Sequence, residues 1–271
     1  MADPARGQQA PQEGTRFTAD EIHENIIKSA EGELERPFTE LGLSGLAAGL
    51  GIGFSFVLSA LLSEHLGTAH HAIASAIAYP VGFIFVVLAR HQLFTENTLE
   101  PVIPLLENRD MKTLRQVARL WAIVLPANLA GAAMFALVAA RTQSFEASLG
   151  ASMLDTARTA TSGAALVIFL KAIWAGWLVA LMAWIIASTH ETIAQIALIW
   201  VTTAPIAALG FKHSIAGATE AFYRAWIGDA SLADMLMRFE LPAIAGNIIG
   251  GVVLVALVNH GQTGAGKRRQ S

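Results

Sequence analysis

The chain has 271 residues, 54% of them hydrophobic and 14% charged, a formal net charge of −3 and a mean hydropathy of +0.51. Soluble domains carry about 25% charge, so this composition points to an all-α polytopic membrane protein, each of whose spans needs roughly 20 apolar residues. The weak net charge gives no reason for a nucleic-acid partner, and the lack of cysteine excludes disulfides, thiolate sites and iron–sulfur clusters.

Lipid offers the backbone no hydrogen-bond partners, so a spanning chain must be helical or a closed barrel. The short alternating segments of a barrel are missing. The start, MADPARGQQAPQEGTRFTADE, is polar and has no apolar h-region, so a cleaved signal peptide is not expected. Residues 18–31, TADEIHENIIKSAE, read as an amphipathic surface helix opened by a capping box between Thr18 and Glu21. Residues 1–38 are expected to form a cytoplasmic segment, residues 39–260 the transmembrane pore domain, and residues 261–271 a cytoplasmic tail.

Six apolar spans follow in order. The first covers about 40–63, and its Gly42, Gly45, Gly49 and Gly53 allow close helix contact. The second starts near His71, meets the polar break RHQLFTENT at 90–98 and resumes to about Glu107. The third is about 117–140. A long loop over 141–160 carries Arg141 and Arg158 balanced by Glu146 and Asp155. The fourth span is about 163–188. The fifth starts near Thr192, breaks at GFKHS (210–214) and resumes to about Ile227. The sixth is about 239–259.

The second and fifth spans are therefore interrupted, each the middle of a triplet. ANLAGAAMFALV at 127–138 resembles GNIIGGVVLVAL at 246–257, pairing Asn128 with Asn247 and Gly131 with Gly250 at an offset of 119. The same offset pairs Thr95 with Ser214. Two repeats are expected, about 39–141 and 161–260. Three spans per repeat turn the second copy upside down, an arrangement in which broken helices meet at the bilayer midplane. The basic residues Arg109, Lys112, Arg115 and Arg119, and Lys267, Arg268 and Arg269 in the tail, put both termini in the cytoplasm.

A broken helix exposes backbone N–H groups at the start of its second half, where the dipole favours an anion. Irregular backbone at that depth is tolerated beside a cavity. Asn97 is the expected N-cap of the second half of span two, with Glu100 at N3 and Pro101 following; Ser214 is the expected start in span five. His213 is the main candidate for chemistry, since an imidazole can lend or accept a proton. The alternative is a structural histidine bonded to the opposite loop at Thr95. Lys171, inside span four, costs about 2.5–3.5 kcal/mol to insert. It is expected to face the interior and find a carboxylate, Glu96 or Glu220. Substrate attraction and snorkelling are the alternatives. His65, His70 and His71 cluster at a turn, but spacing supplies no metal-site partner. Trp174, Trp177 and Trp184 read as packing residues.

LFTENT at 93–98, GFKHSIAG at 210–217, six spans and two opposed broken helices resemble the formate/nitrite transporter family, in an inner-membrane branch of it. The likeness runs from about residue 20 to 260. It implies a homopentamer of aquaporin-like protomers, each with its own pore for small monovalent anions such as formate, nitrite, lactate or hydrosulfide. The family's central histidine falls on His213 and its loop threonine on Thr95, within Leu93, Phe94 and Thr95. Its constrictions fall on Tyr79 and Phe83 on one side and Ile206 on the other. The family usually has an acid before its histidine, where Lys212 stands, and an asparagine four residues after it, where Gly217 stands. Its fourth span commonly carries an asparagine where Gly176 stands.

The function expected is passage of a small monovalent anion across an inner cytoplasmic membrane, either passively or coupled to a proton through the histidine. The alternatives are a neutral-solute channel and a pore-closed membrane scaffold or sensor. No phosphate-cradling GxxxxGK[ST] loop and no nucleophile–base or metal-ligand set is present, so no cofactor and no enzymatic activity are expected.

Overall fold

The computed structural model describes residues 17–142, 144–258 and 261. The expected tail beyond Gly261 and residues 1–16 of the N-terminal segment lie outside them. Among the described residues every regular element is a helix.

Helix α1 (Ala19–Glu35) starts at the expected capping box: the Glu21 N–H donates to Thr18 Oγ1 at 3.3 Å, and the Thr18 N–H to the Glu21 carboxylate at 2.6 Å. It buries His23, Ile26, Ala30 and Leu34, one stripe at helical spacing. That stripe rests on α5 (Val102–Asn108), the start of α6 (Met111–Arg141) and α8 (Ala165–Ile186). His23 bonds Glu107 at 2.8 Å, and Asn25 donates to the Ala187 carbonyl.

Helix α2 (Phe38–Leu66) leads to α3 (His71–Ala78) and α4 (Pro80–Leu88), which form one apolar stretch of 18 residues. After the first break come α5 and α6. Asp110 N-caps α6, accepting from the Thr113 N–H at 2.8 Å, and that bond holds its carboxyl below the usual aspartate value. Helix α8 is followed by α9 (Thr192–Ala208), the second break and α10 (Ser214–Trp226). The last stretch runs through α11 (Leu232–Asp234), a π-helical turn at Met235–Glu240, α12 (Leu241–Gly251) and a second π-helical turn at Val252–Leu257.

Among the described residues, four segments are long and apolar enough to cross a membrane: Phe38–Leu66, His71–Leu88, Met111–Arg141 and Ala165–Ile186. Two helix pairs pack most closely, α2 with α6 and α8 with α12. Small residues make this possible: a Cβ on Gly49 would overlap the Asn128 carbonyl, and one on Gly250 the Ile173 carbonyl. Gly42, expected among the close contacts, instead faces open space.

The expected 141–160 loop is a helix over most of its length, α7 (Ala147–Thr161). It buries Leu149, Met153, Thr156, Ala157 and Thr161 against α2 and α10. This spacing is amphipathic, but the stripe mixes alanine and threonine with few large apolar residues, so hydropathy alone hides it. Beside it, Arg158 and Arg224 both bond the Asp229 carboxylate, which holds that carboxyl below its ordinary value.

Candidate functional site

Helix α4 ends in a Schellman turn: the Arg90 N–H donates to the Val87 carbonyl and the His91 N–H to the Val86 carbonyl. Helix α9 ends in the same way, with Gly210 N–H to Ala207 and Phe211 N–H to Ile206. Both turn residues are left-handed, Arg90 at φ 57° and Gly210 at φ 64°. Arg90 and Gly210 stand 120 positions apart, as do His91 and Phe211.

An asparagine then grips each break. Asn128 of α6 donates to the carbonyls of Gly45 (2.8 Å) and Gln92 (2.8 Å) and accepts from the Phe94 N–H (2.8 Å). Asn247 of α12 donates to the carbonyls of Ala172 (2.8 Å) and Lys212 (2.9 Å) and accepts from the Ser214 N–H (2.8 Å). Each clasp ties a broken strand to two continuous helices. The match pairs Phe94 with Ser214, one residue off the expected pairing of Thr95 with Ser214. The asparagines keep an offset of 119 while the loops they hold are offset by 120. Leu93 is therefore the counterpart of His213.

The two breaks meet. Thr95 Oγ1 lies 2.7 Å from His213 Nε2, both side chains buried. His213 is also the N-cap of α10: its Nδ1 accepts the Ala216 N–H at 3.1 Å. An Nδ1 that accepts a backbone N–H carries no proton. The ring is thus neutral with its proton on Nε2, donating to Thr95 Oγ1. The threonine's own proton has no acceptor among the described residues. The Phe83 ring meets the imidazole edge to face at 5.0 Å, and Tyr79 lies 5.3 Å from Phe83. Leu93, Phe94 and Ile206 are fully buried in the same apolar cluster.

The other expected residues divide. Ser214 begins α10 as expected. Asn97 does not cap a helix: it sits inside a 3-10 turn (Glu96–Thr98), its amide donating to Gln92 Oε1 at 3.0 Å and its carbonyl accepting from Trp121. Pro101 is instead the residue before the short α5, Pro104 lies in its first turn, where a missing N–H costs no bond, and the helix ends at the left-handed Arg109. Lys171 forms no hydrogen bond or ion pair among the described residues, contrary to expectation; its ammonium lies beside Gly210. The lysine that faces Glu220 is Lys212. Glu96 lies on the other side of the breaks, with Arg90 and Glu100. Gly217 leaves room for the Phe239 ring, and Gly176 lies against the backbone of Asn247, so no asparagine fits at either place without displacement.

A cavity of about 280 Å³ reaches His213 from the α7 side, lined by Ser59, Tyr79, Thr156, Lys212, Glu220 and Phe239 among others. Lys212 Nζ donates to the carbonyls of Thr159 (3.3 Å) and Ala160 (2.5 Å), in the last turn of α7, where the helix dipole is negative. A second cavity of about 530 Å³ lies on the α1 side, lined by Lys28, Arg90, Glu100 and His190 among others. Ser59 and Thr156 were missed in the sequence, where neither belongs to a motif; the 3.6 periodicity of α7 is the signal that points to Thr156. Asn128 and Asn247 were visible as a repeat pair, but not as the clasps of the breaks.

The model of the formate/nitrite transporter family matches residues 20–261. The inner membrane protein YfdC of Escherichia coli (strain K12) is 33% identical over 242 residues, covering 89% of this chain and 77% of that protein. A solved FNT family ion channel superposes with a TM-score of 0.74 at 23% identity, over 89% of this chain and 96% of that one. A pentameric formate channel with formate bound gives 0.64 at 20% identity, over 85% and 96%.

Proposed function

The chain belongs to the formate/nitrite transporter family, a family of transporters and not of enzymes, and from that premise we propose that it carries small monovalent anions across a membrane together with a proton. The observation that carries this reading is the meeting of the two helix breaks at a buried polar pair, Thr95 and His213, between apolar walls in the centre of the fold. The structural alternative for His213 expects the same bond, and the flux test separates the two. The imidazole N–H and the free threonine proton are the polar groups a solute would meet there, between apolar walls formed by Tyr79 and Phe83 on one side and Leu93, Phe94 and Ile206 on the other. Burying a bare charge among such walls is expensive, so the solute crosses as its neutral acid or with its charge shared at His213.

The same reading takes the fold as six spans in two inverted three-helix repeats, about 39–141 and 161–260, with the second and fifth broken. The twin turns and twin asparagine clasps support it. Both termini are taken as cytoplasmic, so the Lys212 cavity opens on the opposite face and the Arg90–Glu100 cavity on the cytoplasmic one. The resemblance to an inner membrane protein and to a pentameric formate channel supports a homopentamer in the inner membrane.

The test is a proteoliposome flux panel of formate, nitrite, lactate and hydrosulfide at two pH values. Flux of at least one anion should rise as the pH falls and drop in His213→Asn. Flux that depends on neither pH nor His213 would refute the reading.

A further inference from the structure

The cavity on the α7 side holds a lysine and a glutamate that do not touch. Lys212 and Glu220 both line it and are each only 6% exposed. They are near enough to act on each other through space, yet no ion pair forms between them among the described residues. The ammonium is held back by the Thr159 and Ala160 carbonyls, which use two of its three N–H bonds. The Glu220 carboxyl has no hydrogen bond among the described residues. Two further hydroxyls in the wall, Ser59 Oγ and Thr156 Oγ1, are buried without a partner. Buried polar atoms in native structures are nearly all paired. Four unmet polar groups around one cavity therefore mark a place for a polar guest.

The unmet set is an ammonium N–H, a carboxyl and two hydroxyls, which together fit a carboxylate that is exchanging a proton. His213 is poorly placed for that exchange. One ring nitrogen caps α10 and the other holds Thr95, so adding a proton at Nδ1 would undo the cap.

We infer that Lys212 and Glu220 form a loading site, where Lys212 receives a monocarboxylate anion and Glu220 hands it the proton with which it crosses. This deepens the proposed anion transport and rests on it. In the step, the O–H bond of the Glu220 carboxyl breaks and the O–H bond of the substrate acid forms. The ammonium first balances the substrate carboxylate and afterwards the Glu220 carboxylate, so the charge of the cavity does not change. The neutral acid is then free to leave Lys212 for the apolar wall at Phe83. Water in the cavity returns the proton to Glu220. The ionisable groups facing Glu220 are Tyr79 and His71 from α3 and the turn after it, and Lys212 and His213 from the break. Lys171 of α8 acts on Lys212, and Asp155 of α7 on His71. Helix α6 brings no ionisable group to the cavity, and the last stretch brings Phe239.

The test measures formate flux in proteoliposomes between about pH 5 and about pH 8 for the wild-type protein, Glu220→Gln and Lys212→Met. Without Glu220 the acid must arrive already protonated. Its flux should then fall about tenfold per pH unit, while the wild-type profile stays flatter. Lys212→Met should raise the half-saturating formate concentration at least about tenfold without steepening the profile. An unchanged slope in Glu220→Gln, with wild-type flux intact, overturns this inference and leaves the transport reading standing. A wild-type protein that passes no anion sinks that reading instead. Infrared difference spectra with ¹³C-formate then decide the site without transport: formate should remove a protonated carboxyl band in the wild type and in Glu220→Asp but not in Glu220→Gln. A band that persists in the wild type, or is lost equally in Glu220→Gln, refutes the proton step.

Discussion

At the end of α4 the chain turns through Arg90; at the end of α9 it turns through Gly210 in the same left-handed conformation. An asparagine from a neighbouring helix then seizes each loop with two bonds and ties it to a second helix with a third. Beyond that point the two halves part. His213 caps α10, a helix of 13 residues, with its own ring. Its counterpart Leu93 has no polar atom to offer, and Thr95, Glu96–Thr98 and two prolines follow in a 3-10 turn and a helix of 7 residues. The shared part is what holds a break open inside a packed bundle. The divergent part is what gives this molecule one polar centre, because of the equivalent positions 93 and 213 only the second carries an imidazole. Sharing a scaffold therefore says little about sharing chemistry.

The clasps carry the largest expected effect. Replacing Asn128 or Asn247 by alanine strands one loop carbonyl and one loop N–H in a buried place, a cost of about 2–3 kcal/mol or more. Thermal unfolding in detergent should show similar losses for Asn128→Ala and Asn247→Ala. A loss confined to one of them would break the equivalence of the two halves.

Next comes the bond between the breaks. Thr95→Val should cut anion flux by about tenfold, the equivalent of one ~1.4 kcal/mol hydrogen bond, while Thr95→Ser restores it. His213→Asn separates cap from bridge. Asparagine is a good N-cap, so the unfolding midpoint should hold within about 0.5 kcal/mol while flux falls. Equal losses of stability and flux would mean that the ring matters only as a cap.

The turn residues sharpen the comparison further. A left-handed backbone costs a non-glycine residue roughly 1–2 kcal/mol. Arg90→Gly should therefore stabilise by up to about 1 kcal/mol, less the loss of the arginine's place in the α1-side cavity, and Gly210→Ala should destabilise by about as much. The smallest effect lies outside both breaks. Asp229 is held below its usual value by the arginines on either side. The stability it brings is present at neutral pH and is lost as the pH falls through that depressed value. Acid should thus lower the unfolding midpoint of the wild-type protein more than that of Asp229→Asn.

Much of this architecture was legible in the residues. Apolar runs set the helices nearly to their observed ends, the polar runs at 90–98 and 210–214 marked the two interruptions, and Asn128 and Asn247 stood out as a matched pair. Three local rules misled. Asn97 has the chemistry of an N-cap, but Gln92 takes its amide and a 3-10 turn takes its backbone. Arg90 carries no sign of a left-handed conformation, which the clasp on the following residues imposes. Lys171 looked like the lysine in need of an acid, yet it is Lys212 that shares a cavity with Glu220, its ammonium held at the end of α7.

Span length, turn chemistry and periodicity depend on neighbours a few positions away, so the helices and their interruptions could be read along the chain. Which break residue faces which could not. The one-residue slip between the loops, the choice of Thr95 over its neighbours for His213, and the gathering of Ser59, Thr156, Lys212 and Glu220 around one cavity were decided by packing. The reason is physical: Ser59 and Glu220 stand 161 positions apart, and the packing of α2, α7 and α10 on one another sets the distances around the cavity.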